Sequence, residues 1–367
     1  MPEVHESQRL YALSGRPQDD YDTPTPAADP EDFVALQFTD KDFAKLAPGV
    51  SDNQEDAHGS EFPSEEYTES WDVEAPHSIA CSSEIIGYLL LLAFGSVVTS
   101  QPDAINHPTV YQHIFTLLNH NVGRQLPVAS LVEILGTAHN VMHPSMLLKM
   151  LSMSGDGVKR IDTGVQFHGS GREISPSGLS YAQVKALVDA QSLHYFFNSQ
   201  AKATIADAGT LLNAENLSAL HKFRSWSWSI NNNPDVENGY APGADKFQTD
   251  GDTTSGAIRA EMLNGMRELS ASMVVRLRSD SEERAALKAR KPLNWKSELT
   301  GGLISTFAGP PVTKFYHKLT VEFAKVRYTT LDLQSGGLIT QNIAMKPFDA
   351  ADVVRATLIN TVPSYTD

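Results

Sequence analysis

The chain has 367 residues, one cysteine and a net charge of −15. That length accommodates two hydrophobic cores, and a single cysteine excludes both an intramolecular disulfide framework and a multi-cysteine zinc site. The opening Met1-Pro2-Glu3-Val4-His5-Glu6 has neither a basic n-region nor an apolar h-region, so no secretion signal is expected and the cytoplasm is the default compartment.

The negative charge is local. Residues 1–80 hold nineteen Asp/Glu and four Lys/Arg, and the rest of the chain holds 25 of each sign. Rich in Asp, Glu, Pro and Ser, this leader reads as a long flexible acidic arm, unable to bury enough surface to offset its ordering entropy. Phe33-Val34-Ala35-Leu36-Gln37-Phe38, with Phe43 and Leu46, interrupts it and is suited to docking on a neighbouring surface as a short strand or helix, in an exchange or packing arm, the alternative being a plain flexible tail.

From Ser82 the composition turns apolar. Ile85 to Gly95 is uncharged but shorter than the roughly 20 residues of a membrane span, so it predicts a buried helix with Ser82 or Ser83 as its cap. Apolar residues at helical spacing then predict helices over 109–120, 128–139 and 144–153. Val165 to Ile174, alternating around Gly169-Ser170-Gly171, suits a small hairpin. Helices are expected again from Ser180 and over 214–223. The polar run Asn231 to Ser255 reads as a linker or a long functional loop. Beyond it, Ile258, Met262, Met266, Leu269, Met273 and Leu277 predict a long helix, Phe315, Leu319, Phe323 and Val326 another, and 349–360 a last one. Thr329–Leu333 and Leu338–Ile343 are the main strand candidates. The expected fold is therefore mainly α: an acidic arm (1–80), a helical lobe (81–230), a polar connection (231–256) and a second helical lobe (257–367).

Signatures of chemistry are few. His139 and His143 have a metal-ligand spacing, but Pro144 disfavours a helix there and no Glu lies between them, so they read as core or surface histidines, as do His113 and His120. Asp250, Asp252, Thr254 and Glu261 match positions of a calcium loop, but Ser255 occupies the position of its obligatory glycine. No catalytic residue, cofactor or metal is expected.

The usable positive charge lies between Arg259 and Arg327, with thirteen Lys/Arg against seven acids. Interleaved with aromatic residues, these cations are the mixture that a groove tracking a nucleic-acid backbone requires, although a solvated charged helix looks the same. The candidate RNA-binding residues are Lys222, Arg224, Trp226, Arg259, Arg267, Lys288, Arg290, Lys291, Lys296, Lys314, Lys318, Lys325 and Arg327. Trp226 and Trp228 alternate and share a face in any extended segment. Either they stack on bases or they belong to the core.

An acidic arm and two helical lobes joined by a polar connection, with aromatics among the cations of the second, resembles the plan of RNA-virus nucleoproteins and coat proteins. Phe307-Ala308-Gly309-Pro310-Pro311 with Lys314-Phe315-Tyr316 resembles a segment of negative-strand virus nucleoproteins. Pro292-Leu293-Asn294-Trp295 with Thr313-Lys314-Phe315 is similar to flexuous plant-virus coat proteins. The resemblance implies self-assembly through the arm around single-stranded RNA, in a virion or the host cytoplasm, without catalysis and without a membrane. An icosahedral shell protein with little RNA contact, a non-viral helical scaffold and a hydrolase are the alternatives.

Overall fold

The structure, a computed structural model, describes residues 6–19, 21, 23–26, 29–40, 42–52, 62, 66–118, 126–176, 178–207, 223–235, 262–276, 281–335, 339–348 and 354–366. In chain order they form β1 (Arg9–Ser14), β2 (Phe33–Leu36), β3 (Lys45–Asp52), β4 (Glu66–Ala80), α1 (Ile86–Phe94), β5 (Gly95–Ser100) and β6 (Tyr111–Leu117). There follow β7 (Val128–Leu135), β8 (His139–Asp156), β9 (Asp162–Gly169), α2 (Tyr181–Ala190), β10 (Ala201–Asp207) and β11 (Phe223–Asn231). The two-residue strands β12 (Pro234–Asp235) and β13 (Leu263–Asn264) pair with each other. The chain continues through β14 (Glu268–Arg276), α3 (Ser281–Lys288), β15 (Leu293–Phe307), β16 (Thr313–Gln334), β17 (Thr340–Pro347) and β18 (Val354–Asn360).

Sixteen of these strands belong to one hydrogen-bonded sheet, whose main path runs β2-β1-β7-β8-β11-β14-β17-β16-β18-β6-β5. The mainly α expectation is thereby overturned. The stretches read as helices at 109–120, 128–139, 144–153, 315–326 and 349–360 are β6, β7, β8, β16 and β18, and the described part of 258–277 is mostly β14. The acidic leader is corrected as well. β1 pairs with β7 and β4 with β9, both antiparallel, so these parts of it are woven into the sheet. Residues 214–222 and 236–256 lie outside the described residues.

Two long strands carry the sheet around its corners. On β16, Thr313 to Val326 pair with β15, and from Val326 onward the partner is β17. The change falls beside Lys325, whose φ of 52° is a left-handed kink in an otherwise extended strand. On β8 the partner passes from β7 to β9 and β11, and Ser145 (φ 58°) marks the corresponding bulge. The Ser145 N–H donates to Gln18 Oε1 at 2.7 Å, so the N-terminal segment fills the bulge.

The sheet wraps α1, whose Leu89, Leu90, Ala93 and Phe94 are fully buried. An all-round apolar helix is a buried one, and here the sequence expectation of a buried helix holds. Gly95, at φ 91°, ends it in the left-handed conformation that favours glycine. Helix α2 also begins where expected, with Ser180 and Gln183 forming a capping box.

Candidate functional site

Burial along β15 and β16 changes abruptly. Leu293, Trp295 and Leu299 are buried, yet no side chain from Thr300 to Tyr316 is. The two strands therefore leave the core as a hairpin, and they leave it with apolar side chains exposed: Leu303 51%, Phe307 37%, Val312 61% and Tyr316 40%. Leu303 and Tyr316 are cross-strand partners, so the hairpin carries its own apolar pair into solvent.

A second exposed feature adjoins it. β5 pairs with β6, and no described strand occupies its other side. Edge strands are normally protected by charge, proline or shortness, but Gly95-Ser96-Val97-Val98-Thr99-Ser100 has neither a charge nor a proline, and Val98 is 63% exposed. The loop after β5 is tied to the hairpin by His107, whose Nδ1 lies 2.9 Å from Ser305 Oγ and Nε2 2.8 Å from Thr313 Oγ1. Its ring packs edge-on against Phe315. The same loop exposes Ile105 at 92%. Among the described residues, an uncovered, uncharged strand edge and an apolar hairpin are thus neighbours.

The cations expected to line a groove are distributed over several elements. Lys296 and Lys318 come together on the outer face of β15 and β16, beside a recess of 190 Å³ also lined by Thr320, Glu322, Thr357 and Ile359. They are not free there. Lys318 Nζ lies 3.0 Å from Glu298 Oε2, and Lys296 Nζ lies 3.6 Å from Glu298 and 3.7 Å from Glu322. Burial would raise the Glu298 pKa, but the Lys318 hydrogen bond and the charges of both lysines hold it below the ordinary carboxylate value. Lys288, Arg290 and Lys291 are exposed at the C-terminal end of α3, where positive charge also favours the helix dipole. Lys314 is exposed on the hairpin, and Lys325 is exposed at the kink of β16. Arg327 stacks on the Phe348 ring at 3.5 Å. Arg224 falls at a register shift of β11, and Arg267 is partly buried, with its pKa pushed down to about 10 by that burial. Lys222 and Arg259 lie outside the described residues.

The tryptophans answer the sequence's open alternative in favour of the core. Trp226 and Trp228 do share a face of β11, and it is the inner one, at 2% and 1% exposure. The Trp226 indole N–H donates to Asn198 Oδ1 at 2.8 Å. Trp295 is fully buried, its ring stacked on Phe323 with centroids 5.3 Å apart.

The histidines are likewise structural. His113 Nδ1 lies 2.9 Å from Thr99 Oγ1, and its Nε2 meets Asn360 Oδ1 and the Val362 carbonyl. His143 is buried beside Glu133, and His139 packs edge-on against Phe43. His120 and the calcium-like positions Asp250, Asp252, Thr254 and Glu261 lie outside the described residues. Burial pushes the Cys81 thiol up to about 12, so at neutral pH it stays protonated and unreactive. One cluster escaped sequence reasoning: Glu84, His194 and His317 meet in space, and their separation along the chain leaves no spacing to detect.

No family model matches the chain, and no curated protein matches it either. Among the described residues, no helix is long and apolar enough to cross a membrane.

Proposed function

We propose that this chain is a structural subunit that assembles with copies of itself, a shell or coat protein with little direct contact to nucleic acid. The observation that carries the reading is the uncharged β5 edge, which no described strand covers, beside the projecting β15–β16 hairpin. An exposed row of unpaired backbone N–H and C=O groups on an uncharged strand is a template for another strand. A stable contact buries about 1,200–2,000 Å² in total, more than a six-residue edge supplies alone. The hairpin adds the apolar area that such a contact requires, so edge and hairpin act as one surface. A second copy is the natural occupant, because most soluble oligomers are symmetric assemblies of identical chains.

The cations support this form of the reading over RNA packaging. Lys296 and Lys318 already neutralise Glu298 and Glu322, so contact with phosphate would have to break ion pairs that sit on the protein. The exposed Lys288, Arg290, Lys291, Lys314 and Lys325 speak for RNA, but they are spread over the end of α3, the hairpin and the kink of β16.

The test is electron microscopy of the purified protein together with its ultraviolet absorbance ratio. Regular shells, rings or filaments free of nucleic acid are expected. Particles that form only with RNA, and fail when Lys288, Arg290 and Lys291 are replaced by Glu, would instead favour a nucleocapsid. A monomer at every concentration would remove both.

A further inference from the structure

We infer that Glu84, His194 and His317 form a binding site for a borderline divalent cation of the Zn²⁺ class. One ligand atom from each of the three side chains lies within 4.8 Å of the other two, and among the described residues this is the one such group of three. Three elements converge to make it: the turn before α1, the segment between α2 and β10, and β16. Turn and segment are locked together, since the Ser83 N–H donates to the His194 carbonyl at 2.9 Å and Ser82 bridges to Tyr195.

The hydrogen bonds orient the donors. Glu84 Oε2 accepts the His194 backbone N–H at 2.8 Å, which leaves Oε1 facing the two rings. Oε1 lies 2.8 Å from His194 Nδ1 and 3.9 Å from His317 Nδ1. Bonds of about 2.0–2.1 Å in a tetrahedron separate ligand atoms by roughly 3.3–3.4 Å, a value between those two. Ser83 Oγ, fully buried, donates to Glu84 Oε1 at 2.7 Å and supports that ligand, whereas its 2.8 Å contact with His317 Nδ1 is given up when that nitrogen binds the cation.

One movement is needed. The imidazoles stack with centroids 4.2 Å apart and planes 18° apart, so their Nδ1 lone pairs lie in nearly parallel planes that do not meet at one point between them. A cation in the plane of both requires one ring to turn. The His317 side chain is 2% exposed and fixed, whereas that of His194 is 45% exposed and has room to rotate about χ2. With both Nδ1 atoms coordinating, each neutral ring carries its proton on Nε2, and no electron transfer is involved. Two imidazoles and one carboxylate suit Zn²⁺ and its neighbours and disfavour Ca²⁺ and Mg²⁺, which demand oxygen. The site adjoins the root of the hairpin, because Gly301 packs against His317 and Gly302 against His194.

The inference is independent of self-assembly, and its test reads the metal directly. Untagged protein is titrated with Co²⁺ and followed by visible absorption. Saturation at one ion per chain is expected, with displacement by Zn²⁺ and a Zn²⁺-dependent rise in melting temperature. His194→Ala and Glu84→Gln, each checked for an unchanged metal-free melting curve, weaken binding by at least about tenfold, the minimum lost when even an outer-shell partner is removed. His139→Ala leaves binding unchanged. No saturable one-per-chain binding, or equal affinity in wild type, His194→Ala and Glu84→Gln, overturns the site.

Discussion

Glu133, buried in β7, accepts the backbone N–H of Ala44 on both carboxylate oxygens, at 2.9 and 3.1 Å. His143 Nε2 and His77 Nε2 stand 3.7 and 3.8 Å from the same carboxylate, and Asp40 takes His77 Nδ1 at 2.9 Å. This network holds Asp40 and Ala44 to the body, so this described part of the leader is fastened to the core.

The network has a pH signature. Burial alone would raise the Glu133 pKa, but the two imidazoles and the Ala44 amide together hold it down to about 2. A carboxylate lowered on folding stabilises the native state above its unfolded pKa of about 4.3. That contribution fades as pH falls through the folded value. Urea denaturation of wild type should therefore lose about 3 kcal/mol between roughly pH 4.5 and pH 2. Glu133→Gln should be weaker by a similar amount at pH 7 and should lose about 3 kcal/mol less than wild type across that window, the slope it keeps coming from other lowered carboxylates such as Glu298 and Glu74. Parallel pH profiles for the two proteins would contradict the assignment.

Gly87 lies under the ring of Tyr365, where an added Cβ would meet Tyr365 Cζ at 2.0 Å. Alanine normally stabilises a helix by about 1 kcal/mol relative to glycine. Here the clash decides the sign, because Tyr365 is fully buried and its hydroxyl is held by Asn360. Expelling it costs about 3 kcal/mol or more. Gly87→Ala should lower the urea midpoint, and combining it with Tyr365→Ala should cost less than the sum of the two.

Arg290 follows α3 at φ 48°, with the Lys291 N–H bonded to the Ala286 carbonyl at 2.9 Å. This is the helix-ending position at which glycine is strain-free, and a side chain there costs roughly 1 kcal/mol. Arg290→Gly should raise the melting temperature and leave assembly untouched. A loss of stability would show that the guanidinium makes a contact outweighing the strain.

The helices were misread because helical and strand periodicities overlap. Leu319 and Phe323 are four apart, which places them on one face of a helix and equally on one face of a strand. The residue that separates the two readings is Val321, also buried, with Lys318, Thr320 and Glu322 on the opposite face of β16. β-branched Val321 and Thr320 were the local hint. In the leader, pairing partners lie far along the chain: Tyr11 sits opposite Glu133 and Val73 opposite Gly169, and composition carries no trace of such contacts. What was legible was local: the uncharged α1, the Ser180 cap, the shared face of Trp226 and Trp228, and the strand option at Phe33 to Leu36. Only the sheet order shows β5 to be an edge.

Sedimentation velocity over a range of concentrations, comparing wild type with Val98→Lys and with the pair Leu303→Lys and Tyr316→Lys, tests self-assembly most directly. All three positions are exposed, so each variant keeps its fold. The wild type is expected to sediment as a large, concentration-dependent species, and both variants as folded monomers. A wild type that stays monomeric at every concentration, or variants that assemble as the wild type does, would contradict the account.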